Sequence, residues 1–153
     1  MAVSSARRIA FDILRQVASQ DAYASDLLHA KLVPQVGRAD AALATEITLG
    51  VLRWQRHLDF FLQRHLEKPV ARLDLEVLLA LRMGLYQLRF LERVPVHAAV
   101  SESVEIVKSA RKRSAAPLVN AVLRKLAPEA KLAGARLHAL LPSGASEAER
   151  LGI

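Results

Sequence analysis

Apolar residues recur along the chain at steps of three and four, the spacing that places side chains on one face of a helix. The longest such pattern covers residues 40–65, where further apolar residues lie beside the main stripe. Because this segment is apolar on several sides, it predicts a central helix about 39 Å long that is buried on more than one face, with Asp40 as its N-cap. The stripe contains Leu43, Ile47, Val51, Trp54, Leu58 and Phe61, and the residues beside it are Leu49, Leu52, Phe60 and Leu62.

Six further amphipathic segments predict helices that pack around this central one. Ser4 or Ser5 is expected to cap the first of them, and Gly84 is expected to mark a close contact between two helices. The fold class is therefore all-α, a compact bundle of about seven helices around a long central helix. Residues 1–141 form the predicted domain, and residues 142–153 are expected to be a linker or frayed tail. The six segments are 5–20, 21–32, 73–91, 98–110, a helix with Pro117 in its first turn, and 129–141.

The composition argues against most catalytic chemistry in this chain. It has no cysteine, which excludes disulfides, thiolate metal ligands and a cysteine nucleophile, and its six glycines form no phosphate-binding loop. His57 and His65 lie about 12 Å apart along one predicted helix, too far to share a metal ion. Glu102 and Glu105 are expected on a solvated helix face rather than as an acid–base pair. No catalytic, metal-binding or cofactor-binding residue is therefore predicted.

The sequence also lacks the patterns of export and membrane insertion. The apolar run after Arg8 is interrupted by Asp12 and Arg15, so it does not resemble a signal peptide. No stretch reaches the roughly 18 uncharged apolar residues of a membrane span. The chain is therefore expected to be soluble and cytoplasmic.

Positive charge is concentrated in the last third of the chain. The net charge is +7, and the segment from Lys108 to Arg136 has eight basic residues against a single acid, Glu129. Such a cluster favours a polyanionic partner such as RNA, and codon bias in a GC-rich genome is the alternative explanation. Because most aromatic residues fall on buried stripes and Tyr23 is the one expected at the surface, phosphate contact is favoured over base recognition. The candidate phosphate-binding residues are Lys108, Arg111, Lys112, Arg113, Arg124 and Lys125.

Four ordered segments closely resemble the NusB-like family, namely DAALATEITLGVLRWQRHLDFFL, LRMGLYQLRFL, VPVHAAVSESVEIVK and APLVNAVLRKL. The resemblance covers residues 5 to about 127 and implies a two-part bundle of about seven helices. The family has two branches, the free-standing NusB transcription antitermination factor and the amino-terminal domain of ribosomal RNA cytosine-C5 methyltransferases of the Sun (RsmB) type. The strings GVLRW and VNAVLR look like the methyltransferase branch, since the antitermination branch tends to have aspartate where Arg124 stands.

The resemblance implies RNA contact at the arginine-bearing start of the first helix, which here carries Arg7 and Arg8. Such contact would explain two cations placed at the positive end of the helix dipole. It also implies that the cysteine nucleophile and the S-adenosylmethionine site belong to a catalytic domain absent from this chain. Three functions remain open: an RNA-binding domain of such an enzyme, an antitermination factor that binds leader RNA and a ribosomal protein, and a helical protein-interaction module.

Overall fold

The structure is a computed structural model that describes residues 3–32 and 36–140. This part of the chain contains seven α-helices and two short 3-10 turns, Val70–Arg72 and Arg113–Ala115, and it contains no strand. The predicted all-α class is therefore confirmed. The helices are α1 Ser5–Gln20, α2 Ala24–Leu32, α3 Arg38–Arg53, α4 Gln55–Gln63, α5 Leu75–Phe90, α6 Val96–Ser109 and α7 Ala116–Leu140.

The segment 40–65 is not one helix, so this prediction was wrong. Trp54 leaves the helical conformation, with φ −100° and ψ 16°, and separates α3 from α4. Its indole stacks on the ring of Phe90, with 5.0 Å between centroids and 28° between planes. Because neither proline nor glycine stands at this position, the break comes from packing against α5 rather than from local sequence. Gly37, and not Asp40, occupies the N-cap position of α3.

The central helix of the bundle is α5. All twelve residues from Val77 to Leu88 are buried, and the helix packs against α1, α3, α4, α6 and α7. The buried polar side chains of Arg82 and Gln87 both have hydrogen-bond partners, as buried polar groups require. The predicted helix over 73–91 is therefore confirmed. The sequence pattern, however, had assigned the central position in the bundle to residues 40–65.

Two glycines allow close approach to α5. A Cβ atom at Gly50 of α3 would collide with the ring of Tyr86. A Cβ atom at Gly84 would lie 2.5 Å from Leu123 Cδ1 and 2.8 Å from Ser103 Oγ, which confirms the close helix contact predicted there.

The last two predicted helices are a single helix, α7, with Pro128 inside it. Proline removes one backbone donor and leaves the carbonyl of Arg124 without its helical partner. Both residues are exposed, so water can solvate that carbonyl and the helix continues. Pro117 lies in the first turn of α7 as predicted. The predicted tail, residues 142–153, lies outside the described residues.

Across residues 3–32 and 36–140, no helix combines the length and hydropathy needed to cross a lipid bilayer.

Candidate nucleic-acid interface

A buried polar network joins the start of α1 to α5 and α6. Arg7 Nη1 donates to Glu102 Oε2 at 2.8 Å, and Arg7 Nε donates to Gln87 Oε1 at 2.6 Å. The backbone N–H of Ser4 donates to the other carboxylate oxygen, Glu102 Oε1, at 2.7 Å. Arg7 is 7% exposed and Glu102 is 9% exposed. The expectation of a solvated Glu102 was therefore wrong, since this carboxylate is buried as the counter-ion of Arg7.

This network explains why an arginine stands in the first turn of α1. The unfavourable dipole interaction of Arg7 is offset by a carboxylate and an amide oxygen at hydrogen-bonding distance. Ser4, one of the two caps predicted, occupies the N-cap position, and its hydroxyl accepts from the backbone N–H of Arg7. The guanidinium of Arg7 thus faces the protein interior, and Arg8 is the residue at this helix start that faces outward.

Arg8 lies beside the basic segment that follows α6. Its Nη2 atom donates to Ser109 Oγ at 2.7 Å, across 101 residues of sequence. Ser109 is the last residue of α6, and four predicted RNA-binding residues lie within four positions of it. The structure therefore brings together what we call the α1–α6 basic cluster, which consists of Arg8, Lys108, Arg111, Lys112 and Arg113.

The backbone of Arg111 adopts a conformation that favours glycine. Its φ is 64°, in the left-handed region, and the next N–H, that of Lys112, donates to Val107 O at 2.8 Å to close the end of α6. A residue with a Cβ atom is less stable there than glycine by about 1 kcal/mol. The side chain of Arg111 is exposed, so this strained position is a candidate for a functional role.

Two members of the α1–α6 basic cluster have acidic neighbours. Lys108 Nζ lies 3.5 Å from Glu105 Oε1, and Lys112 Nζ lies 3.3 Å from Asp74 Oδ2. Such partly exposed surface pairs contribute little to stability, and a phosphate can replace the carboxylate at small cost. Arg113 is exposed as well.

Arg124 and Lys125 belong to a different part of the surface, on α7. Both are exposed, and the Nε atom of Arg124 donates to Asn120 Oδ1 at 3.0 Å within the same helix. Asn120 is half-buried and finds its partner at the surface rather than in the core. No contact within the described ranges joins these two cations to the α1–α6 basic cluster.

Aromatic residues gather around the break between α3 and α4. The His57 ring packs edge-on against Trp54 and against Phe61, with centroid distances of 5.3 Å and 5.0 Å. Burial and the nearby Arg89 guanidinium lower the pKa of His57. Trp54 Nε1 and His57 Nε2 are buried and have no hydrogen-bond partner among the described residues. Trp54, predicted on the apolar stripe of the central helix, is half-buried and packs against the core.

Two exposed apolar residues, Leu49 of α3 and Phe60 of α4, were missed by sequence reasoning. Phe60 is 64% exposed and Leu49 is 47% exposed, whereas both were predicted to be buried. Arg56 and Arg64 lie one turn before and one turn after Phe60, and both are exposed. The i, i+4 spacing of these three residues was visible in the sequence, but Phe60 was attributed to a helix buried on several sides.

Comparison with known proteins identifies a family and a set of relatives. Residues 4–128 match the NusB family. A putative methyltransferase of Mycobacterium tuberculosis is 42% identical over 123 residues, which cover 80% of this chain and 27% of the relative. A probable ribosomal RNA small subunit methyltransferase B of Synechocystis sp. is 33% identical over 122 residues, with 79% and 27% covered. The chain therefore spans less than a third of the length of these curated relatives.

Solved structures share the same fold. NusB of T. maritima superposes with a TM-score of 0.73 and 23% identity, covering 84% of this chain and 94% of that one. A chain from the complex of antitermination factors NusB and NusE with double-stranded RNA superposes with a TM-score of 0.71 and 23% identity. That match covers 81% of this chain and 94% of the other.

Proposed function

Since this chain belongs to the NusB family, we propose that it is an RNA-binding domain that positions ribosomal RNA for a cytosine-C5 methyltransferase domain. The observation that carries the proposal is the α1–α6 basic cluster, in which Arg8 meets the basic segment after α6. Arginine and lysine side chains at helix ends contact backbone phosphates without a special pocket. The strained Arg111 within the cluster supports a role in binding rather than in folding.

The relatives support the enzymatic context. Relatives named ribosomal RNA small subunit methyltransferase B align with this chain over less than a third of their own length. The sequence has no cysteine, so a cytosine-attacking thiolate and the S-adenosylmethionine site belong, in this proposal, to a separate catalytic domain. This chain would then supply RNA affinity and orientation, which is how a binding domain accelerates a reaction carried out elsewhere.

We expect the double variant Arg8→Gln/Arg113→Gln to bind a small-subunit ribosomal hairpin more weakly than the wild type. Each phosphate that the protein no longer neutralises should reduce the slope of log K against log salt by roughly 0.7 to 0.9. Fluorescence anisotropy across a salt series would measure both quantities. The charge-matched control is Arg38→Gln/Arg93→Gln, because both residues are exposed and Arg93 precedes α6, at the end opposite the cluster. Equally weakened binding in the two double variants would contradict a localised interface.

Arg111→Gly should change stability and RNA affinity in opposite directions. Glycine adopts the left-handed conformation without strain, so the free energy of unfolding should rise by about 1 kcal/mol. RNA affinity should fall at the same time, because the substitution removes one exposed guanidinium. Urea denaturation and anisotropy on the same preparation would test the pair of effects. A variant that is stabilised but binds RNA like the wild type would remove Arg111 from the interface.

A free-standing antitermination factor is the second candidate, favoured by the fold shared with NusB. It requires preference for a short single-stranded leader over the ribosomal hairpin, and recovery of a ribosomal protein by pull-down from lysate. An immunoblot of the source organism distinguishes the two functions, since the methyltransferase proposal expects a native protein far larger than 16.8 kDa. A helical protein-interaction module, the third candidate, would show no salt-dependent RNA affinity.

A further inference from the structure

Three exposed side chains follow one another at intervals of one turn along α4 and its C-cap residue, Arg64. Arg56, Phe60 and Arg64 stand at i, i+4 and i+8, so they share a face of the helix. The Phe60 ring is supported by Phe61, which it meets nearly at right angles, with 5.2 Å between centroids. The result is an exposed aromatic ring of defined orientation between two arginines. We call these three residues the α4 face.

The surroundings of the α4 face are cationic. The one acidic residue of α4, Asp59, is turned inward, where its two carboxylate oxygens accept hydrogen bonds of 2.8 Å from Arg82. Arg89 and Arg64 lie over the Phe61 ring, 4.5 Å and 5.9 Å from its centroid. Glu129 approaches Arg64 at 3.2 Å, in a solvent-exposed pair of little strength.

We propose that the α4 face binds unpaired RNA bases, with Phe60 as the stacking platform and Arg56 and Arg64 as contacts to the flanking phosphates. The proposal rests on the RNA-binding function above and adds single-stranded RNA as the ligand of a second surface. Single-stranded nucleic acids are bound in this way, by aromatic rings set within a positively charged surface. An apolar protein partner would be a poorer match, because docking it would desolvate the arginines beside Phe60.

Lys112 of the α1–α6 basic cluster and the α4 face lie toward opposite ends of α5. Lys112 of the α1–α6 basic cluster pairs with Asp74, just before α5 begins, whereas Arg89, in the last turn of α5, covers Phe61 beside the α4 face. Fifteen residues of helix separate these points by about 22 Å. The start of α1 lies nearer the α4 end of the bundle, since Arg7 contacts Gln87 in the last turn of α5.

Phe60→Ala should weaken binding of the full chain to an unstructured oligoadenylate by about 5- to 150-fold, the loss typical of one stacked base. The slope of affinity against salt should stay unchanged, because no charge is removed, whereas Arg56→Gln should lower that slope by roughly 0.7. Binding to a perfect RNA duplex of equal length should be unaffected by Phe60→Ala. Phe60→Trp should retain binding to the oligoadenylate.

Tyr23→Ala is the matched control, because Tyr23 is an exposed aromatic residue flanked by Asp21 and Asp26 rather than by arginines. Phe60 is largely exposed, so its replacement leaves the fold intact. If the wild type binds oligoadenylate and Phe60→Ala binds it equally well, the α4 face is not a base platform and a protein is its better occupant. If the wild type binds neither ribosomal RNA nor oligoadenylate, the proposed function fails and this inference fails with it.

Discussion

Arg7→Met should lower the free energy of unfolding by about 3 to 5 kcal/mol, the usual cost of removing one partner from a buried ion pair. Methionine fills most of the volume of arginine, so the decrease reports on the interactions rather than on a cavity. Without the guanidinium, Glu102 remains as a buried carboxylate that still accepts from the backbone N–H of Ser4. Gln87 Oε1 loses the donor at 2.6 Å. Urea denaturation of the variant and the wild type would measure the difference.

The neighbouring substitution Arg8→Met is the matched control. Arg8 lies at the surface and donates to a serine hydroxyl, so its removal should change stability by less than about 0.5 kcal/mol. The double variant Arg7→Met/Glu102→Met should be more stable than Arg7→Met alone by about 1 kcal/mol or more, because no unpaired charge remains buried. Equal stabilities of Arg7→Met and Arg8→Met would mean that the pair contributes nothing to the fold.

Gly50→Ala should destabilise the protein by about 2 kcal/mol or more, since overpacking costs about 1 to 3 kcal/mol and sometimes exceeds that range. The added methyl group would collide with the ring of Tyr86 on α5, which is completely buried. The higher helix propensity of alanine, worth about 1 kcal/mol, offsets a part of this destabilisation. Thermal or urea denaturation would show the effect.

Gly37→Ala provides the comparison for Gly50→Ala. No atom lies within 4 Å of a Cβ built on Gly37, so that variant should change stability by less than about 1 kcal/mol. A double variant Gly50→Ala/Tyr86→Leu should be destabilised by less than the sum of its two single substitutions, because the smaller side chain relieves the collision. Strict additivity of the two changes in the free energy of unfolding would show that α3 and α5 can move apart at little energetic cost.

The helices were largely predictable because amphipathic periodicity is a local property of the chain. The first helix, α5 and α6 lie where the pattern placed them, within about two residues. The break at Trp54 was not predictable, since it depends on stacking against Phe90, thirty-six positions further along the chain. The two helices predicted on either side of Pro128 are one helix, because the proline is exposed and water can solvate the Arg124 carbonyl.

The candidate interface was predictable in its charge but not in its geometry. Sequence reasoning found the cations around α6 and at the start of α1, yet it could not show which arginine faces outward. Arg7 and Arg8 are adjacent and chemically identical, and the choice between them is made by Glu102, 95 residues away. Phe60 was missed for a related reason: an apolar residue near a buried stripe is assigned to the core unless the packing around the helix is known.

The attachment of α1 to Glu102 also determines when the domain can complete its fold during synthesis. Arg7 and its carboxylate are 95 positions apart, which corresponds to roughly 5 to 20 seconds of translation. Until residue 102 leaves the ribosome, the first helix has no partner for its guanidinium, and its apolar face lacks part of its final covering. We expect this nascent helix to dock late, and premature termination before α6 to leave a product that chaperones and proteases recognise.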